Sequence, residues 1–151
     1  MFQAIANLYR TIFDEVSLLG DIPNFLIRVS IGLVFANTGW GKIHSIPDIT
    51  GYFTSLGIPF PEFNAVLVGY TELIAGALLV IGLLTRLSAI PLAITMAVAI
   101  ITAYLPEVKD IFGFFRLLEW AYFLIFIWLI IIGPGKLSSD HFLTKKFLSN
   151  S

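Results

Sequence analysis

The sequence predicts an all-α integral membrane protein: a four-helix bundle preceded by an N-terminal amphipathic helix that lies in the membrane interface. Of its 151 residues, 58% are hydrophobic and 13% are charged, whereas soluble domains average about 45–50% apolar and about 25% charged residues. Several apolar segments are also long enough for membrane helices, because a bilayer core of about 30 Å requires about 20 apolar residues in a helix. The composition therefore predicts one compact membrane domain.

The composition also argues against several classes of function. A net charge of −1 provides no basic surface for nucleic acid. The chain contains no cysteine, so it has no disulfide, thiol nucleophile or cysteine-ligated cluster. Its two histidines, His44 and His141, lie at opposite ends of the predicted bundle, which disfavours a haem held by two histidines of one chain. We predict no metal site and no nucleic-acid partner.

Residues 1–20 form the first predicted unit. Their apolar side chains recur with helical spacing and their polar ones lie mostly on the opposite side. A helix lying in the membrane interface and a helix packed under the bundle both explain this pattern. A cleaved signal peptide fits poorly, since Asp14, Glu15 and Asp21 precede the first long apolar segment.

Residues 22–135 form the predicted membrane domain, and residues 136–151 form a polar tail. The expected spans are Asp21 to Trp40, Phe63 to Leu84, Ala89 to Leu105, and a last one that begins between Phe112 and Leu117 and ends at Gly133. Ser88 is predicted to cap the third span, with Pro91 in its first turn. Ser45 to Pro61 is too polar to span the membrane and is predicted to lie across the mouth of the bundle, its aromatic side chains in the headgroups rather than on a ligand.

Small residues mark the predicted packing faces of the spans. Gly32 and Ala36 are four residues apart, as are Ala89, Ala93 and Ala97 in the third span. Faces of this kind allow membrane helices to approach closely. Lysine and arginine residues are more numerous on the side of the two termini, which predicts an inner (plasma) membrane protein with both termini in the cytoplasm.

Four charged residues are the candidate ligand or proton site: Arg28, Lys42, Glu72 and Glu119. Glu72 lies well inside an apolar span, where an ionised side chain costs at least about 2.5 kcal/mol and so needs a partner. Predicted depths pair Glu72 with Arg28, and Lys42 with Glu119. Such pairs are required by membrane burial whether or not they have a function, so a structural role and a ligand or proton site both remain open.

Three motifs, in order, resemble the DoxX family of small four-helix membrane proteins. The first is Arg28, Gly32 and Phe35 followed by Gly39-Trp40-Gly41-Lys42. The second is the block Gly69 to Ile100, which contains Glu72, Gly76, Gly82 and Arg86, and the third is Gly133 to Asp140. The resemblance covers roughly Phe25 to Asp140 and leaves out the N-terminal helix.

The resemblance implies a role near quinone-reducing sulfur oxidation or in membrane complexes that handle oxidative stress. The thiol chemistry found in the wider superfamily is excluded by the absence of cysteine. We therefore consider a redox-associated protein that binds a quinone or another amphipathic molecule, with a redox protein partner or a second copy of the chain as candidate partners. The alternative is a non-enzymatic scaffold or small-solute pathway in which the polar residues only hold the helices together.

Overall fold

A computed structural model describes residues 21–148, so the predicted amphipathic helix at residues 1–20 lies outside the described part of the chain. The helices, in order, are α1 Asp21–His44, α2 Ile46–Ser55, α3 Pro61–Ile81, α4 Thr85–Ala99, α5 Ile111–Phe115, α6 Leu118–Ile132 and α7 Ser139–Leu148. A π-helical turn, Ile100–Tyr104, and a 3-10 turn, Leu105–Glu107, continue α4. Residues 21–148 contain no β-strand.

Two of these helical segments are long and apolar enough to cross a membrane. Pro61–Ile81 has a mean hydropathy of 1.8, and α4 with its continuation, Thr85–Glu107, has 2.0. Only 33% of each is buried inside the protein, so most of their apolar surface faces outward. That distribution is expected for helices surrounded by lipid and not for the core helix of a soluble protein.

The long helices run alternately in opposite directions, which defines two ends of the molecule. The Arg28 end contains the start of α1, the turn between α3 and α4, and the end of α6. The Lys42 end contains the end of α1, helix α2, the start of α3 and the end of α4. Helix α2 lies at the Lys42 end, where it packs mainly on α3.

Helices α1 and α3 pack closely through glycine. A Cβ atom added at Gly32 would lie 2.8 Å from the carbonyl oxygen of Gly76, and one added at Gly76 would overlap the backbone of Ala36. The prediction that Gly32 and Ala36 form a packing face is confirmed. In α4, Ala89 and Ala93 are buried in the core as predicted, whereas Ala97, the third residue of that face, is only partly buried.

Substituting Gly76 with leucine should destabilise the protein by about 1–3 kcal/mol, because a larger side chain separates two backbones that are in contact. Thermal unfolding in lipid-containing detergent micelles would measure the loss. Gly41→Leu is the matched control, since a side chain there, also in a helix, meets nothing within 4 Å. Equal melting temperatures for the two variants would show that Gly76 does not set the helix separation.

The start of α4 differs from the predicted one. The helix begins at Thr85 rather than at Ala89, so Pro91 lies inside it and Ser88 is not its cap. The side chain that caps it is Asp140, whose carboxylate accepts hydrogen bonds from the backbone N–H groups of Leu84 and Thr85 at 2.7 and 3.0 Å. A cap that comes from about 55 residues away in the chain cannot be read from the local sequence.

An apolar core separates the two ends. Buried side chains from the four long helices form it: Ile31, Phe35, Ala75, Leu79, Ala89, Leu92, Ala93, Met96, Phe126 and Leu129. The rings of Phe35 and Phe126 meet edge to face with centroids 4.9 Å apart, a favoured aromatic geometry. The polar groups of the Arg28 end and those of the Lys42 end are therefore separate clusters.

Candidate functional site

Glu72 is the buried charge at the centre of the Lys42 end. Its side chain is 1% exposed, and Lys42 Nζ donates to both carboxylate oxygens at 2.5 and 2.6 Å. The hydroxyl of Thr38 donates to Oε2 at 3.1 Å. Thr38 and Lys42 are four residues apart and so share the face of α1 that packs on α3. The carboxylate is thus compensated by one cation and one hydroxyl.

The predicted pair of Glu72 with Arg28 is wrong, and so is that of Lys42 with Glu119. Depth along a helix permits several partners, but the packing of α1 on α3 selects the one on the facing turns. Lys42 lies close to the end of α1, and its long apolar side chain extends from there to Glu72. Lysine side chains commonly place their charge at a distance from the backbone in this way.

Arg28 instead holds the other end of the molecule together. It is 1% exposed and donates to the carbonyl oxygens of Leu79, Val80 and Leu137 at 2.5, 3.1 and 2.7 Å. The last carbonyls of a helix have no partner within the helix and carry partial negative charge. A guanidinium, with five N–H donors, is well suited to bind them. Backbone carbonyl groups therefore compensate the charge of Arg28, which is a structural role.

The segment 133–140 completes the Arg28 end. Besides the cap made by Asp140, the side chain of Asn24 donates to the carbonyl of Gly133 at 3.1 Å. Asp21 accepts from the backbone N–H of Lys136 at 3.1 Å, and Ser139 donates to the carbonyl of Ile81 at 3.0 Å. These bonds connect the end of α6 to the starts of α1 and α4, so the polar residues of this segment are explained by structure.

A cavity of about 710 Å³ lies at the Lys42 end, between the α1–α3 pair and α4. Lys42, Glu72 and Glu119 all line it, whereas Arg28 does not. Of the four candidate residues, the structure therefore brings three to one cavity. Glu119, at the start of α6, interacts with the hydroxyl of Tyr104. Most of the remaining lining is apolar, and it includes Tyr52 and Phe53 of α2.

Several lining residues were not predicted. Thr38 and Tyr104 contact the two carboxylates, and Tyr52 and Phe53 line the cavity, where the sequence favoured headgroup contacts. The four-residue spacing of Thr38 and Lys42 could have indicated Thr38, because it places both side chains on one face of a helix. No local pattern indicates Tyr104, which is the last residue of the π-helical turn Ile100–Tyr104. His44, whose ring lies tilted by 42° against that of Trp40 with centroids 4.3 Å apart, does not line the cavity.

The arrangement can bind and exchange protons with a polar group in an apolar setting. Pockets for small molecules are typically about 300–1,000 Å³, mainly apolar, with a few polar groups that fix orientation. Lys42 has three N–H donors, and two of its contacts go to Glu72. Its side chain is still 27% exposed, so a donor remains for an acceptor in the cavity.

The fold and this site define a helical membrane protein with a small, mainly apolar cavity that contains a buried ion pair. The DoxX family model matches residues 24–105, which is more than half of the chain. The chain belongs to the DoxX family.

Three relatives support this assignment. The "Uncharacterized membrane protein Rv3486" of Mycobacterium tuberculosis is 36% identical over 80% of this chain and 80% of its own length. The "Putative oxidoreductase CatD" of Bacillus subtilis is 32% identical over 83% of this chain and 90% of its own. The "Inner membrane protein YqjF" of Escherichia coli is 30% identical over 85% and 98%. No solved structure matches the chain.

Proposed function

We propose that this protein is a four-span inner-membrane subunit of a redox-associated system that binds a quinone, or a similar amphipathic molecule, in the cavity at the Lys42 end. Both termini are proposed to be cytoplasmic, with residues 1–20 as an interfacial helix, residues 22–135 as the membrane domain and residues 136–151 as a tail. One relative carries the word oxidoreductase in its name, which supports the redox association.

The observation that carries the proposal is the position of Lys42, Glu72 and Glu119 around one apolar cavity. A quinone fits this chemistry, since its carbonyl oxygens are acceptors and its remaining surface is apolar. When bound, it would supply two-electron redox chemistry, with the electrons delivered by a redox protein partner. Lys42 would orient a carbonyl oxygen, and Glu119 with Tyr104 would hold or transfer a proton at the cavity wall.

The scaffold alternative explains Arg28 well but explains the cavity poorly. Arg28 and the segment 133–140 bind backbone carbonyls and helix ends, as expected of residues that only stabilise the fold. A scaffold has no need of an ion pair that lines an open volume. The pathway alternative is also disfavoured, because the apolar core between the two ends leaves no continuous polar route through the described residues.

The test is saturable binding of a benzoquinone with a ten-carbon tail to the purified chain in lipid nanodiscs. We expect quenching of tryptophan fluorescence, and retention of the quinone in native mass spectrometry. The double variant Lys42→Met, Glu72→Leu should lower the affinity about tenfold or more, since the head loses its donor. Lys109→Met, at an exposed position outside the cavity, is the control. Absence of saturable binding to the unmodified chain would favour the scaffold.

A further inference from the structure

One wall of the cavity lies between α3 and α4. At the Arg28 end these helices are joined by a tight turn, in which Gly82 and Leu84 have positive φ angles of 74° and 50°. Their packing there includes the core residues Leu79 and Leu92. Toward the Lys42 end the cavity lies between them, and its lining includes residues of both helices.

Side chains of this wall belong to the cavity and to the outer surface at once. Leu67 of α3 and Ile94 and Val98 of α4 all line the cavity, yet they are 49%, 58% and 45% exposed. At these positions a single layer of side chains therefore separates the cavity from the outer surface. We call the space between these three residues the α3–α4 gap.

The gap lies at the depth of the hydrocarbon. Leu67 is about 9 Å from the start of the span Pro61–Ile81 at 1.5 Å per residue. Ile94 is about 14 Å from the start of Thr85–Glu107, near its middle. An opening at these depths meets acyl chains rather than water.

The chemistry of the gap matches that surrounding. The three residues that define it are apolar, and the hydroxyl of Thr95 is directed back to the carbonyl of Pro91 at 2.9 Å. The wall at the Lys42 end is formed by α2 and the residues after it, including Tyr52, Phe53 and Leu56.

We infer that the α3–α4 gap is the binding site for the apolar tail of the ligand, and that the ligand reaches the cavity laterally from the bilayer. This inference rests on the proposed function and adds a ligand class: a small head with hydrogen-bond acceptors on a flexible apolar tail. The head lies near Lys42 and Glu119, and the tail passes between Leu67 and Ile94 into the lipid. A charged, water-soluble ligand has no favourable route through this gap.

The test compares two benzoquinones, one with a ten-carbon tail and one without a tail, on a variant that fills the gap. Leu67→Phe combined with Ile94→Phe should weaken binding of the tailed quinone about tenfold and leave the tail-free quinone within about twofold, because only the tail loses its site. The control is Ile74→Phe combined with Ile101→Phe. Those residues lie on the same helices or their continuation, are 56% and 63% exposed, and do not line the cavity.

A photoreactive group at the end of the tail gives a second measurement that needs no variant. Cross-links to residues 67–71 and 94–98 support the gap, whereas cross-links confined to residues 46–59 overturn it. Equal weakening of both quinones in the gap variant, or of neither, also overturns it, even where the unmodified chain binds both. Failure of the unmodified chain to bind either quinone is a different result, because it overturns the proposed function itself.

Discussion

Lys42→Met should lower the free energy of unfolding by about 3–5 kcal/mol, because it leaves the carboxylate of Glu72 buried without its cation. Glu72 is 1% exposed, and its second partner among residues 21–148 is the Thr38 hydroxyl. Glu72→Leu should cost less, since the Lys42 side chain is 27% exposed and its ammonium can turn into the cavity. The measurement is reversible unfolding in mixed micelles with increasing denaturing detergent.

The combination Lys42→Met with Glu72→Leu should recover most of the loss, since replacing both partners of a buried pair with apolar groups is often nearly neutral. Arg28→Met combined with Glu72→Leu is the control cycle. Arg28 and Glu72 have no common partner, so their losses should add within about 0.5 kcal/mol. Additive losses for Lys42 and Glu72 would mean that the ion pair does not stabilise the protein.

Arg28→Met should destabilise the protein by several kcal/mol, the largest effect we expect at the Arg28 end. Each buried carbonyl left without a donor costs about 1–3 kcal/mol, and the substitution leaves two, those of Val80 and Leu137, because Leu79 also accepts from the backbone N–H of Gly82. Arg28→Lys should also lower the free energy of unfolding, but by less than Arg28→Met, because an ammonium group keeps the charge and lacks the planar set of N–H donors. The same detergent-induced unfolding measures all three proteins.

Arg116→Met is the control, since Arg116 is exposed on the surface. Quinone binding distinguishes a structural Arg28 from one that contacts the ligand. Folded Arg28→Lys should bind the tailed benzoquinone as the unmodified chain does, because Arg28 does not line the cavity. A stable variant with greatly weakened binding would contradict the structural role.

The sequence predicted the features that depend on local pattern. The α3 span was expected from Phe63 to Leu84 and lies at Pro61–Ile81. The face of Gly32 and Ala36 follows from four-residue spacing, and the position of α2 follows from a segment too polar to span. Each of these depends on neighbours in the chain, which is why periodicity and composition were sufficient.

Contacts between distant residues could not be predicted in the same way. Depth placed Glu72 near Arg28, but the rotation of α1 against α3 brings Lys42 to the carboxylate instead. Asp140 caps the start of α4 from about 55 residues away, and Tyr104, at the end of the π-helical turn, interacts with Glu119 of another helix. These outcomes depend on how whole helices face one another, a property that a single sequence does not contain.

The apolar core around Ile31, Phe35, Leu79 and Phe126 has an energetic consequence. Among residues 21–148 no chain of polar groups joins the cavity to the Arg28 end, so a proton taken up at the Lys42 end would return to that side. Proton exchange of the kind proposed for this cavity would therefore change the pH of one compartment without moving a proton across the whole membrane. The equilibrium of this proton exchange should depend on the transmembrane voltage only through the part of the field that falls within the cavity. Moving one charge across the whole membrane would, by comparison, be worth about 2.3 kcal/mol at 100 mV.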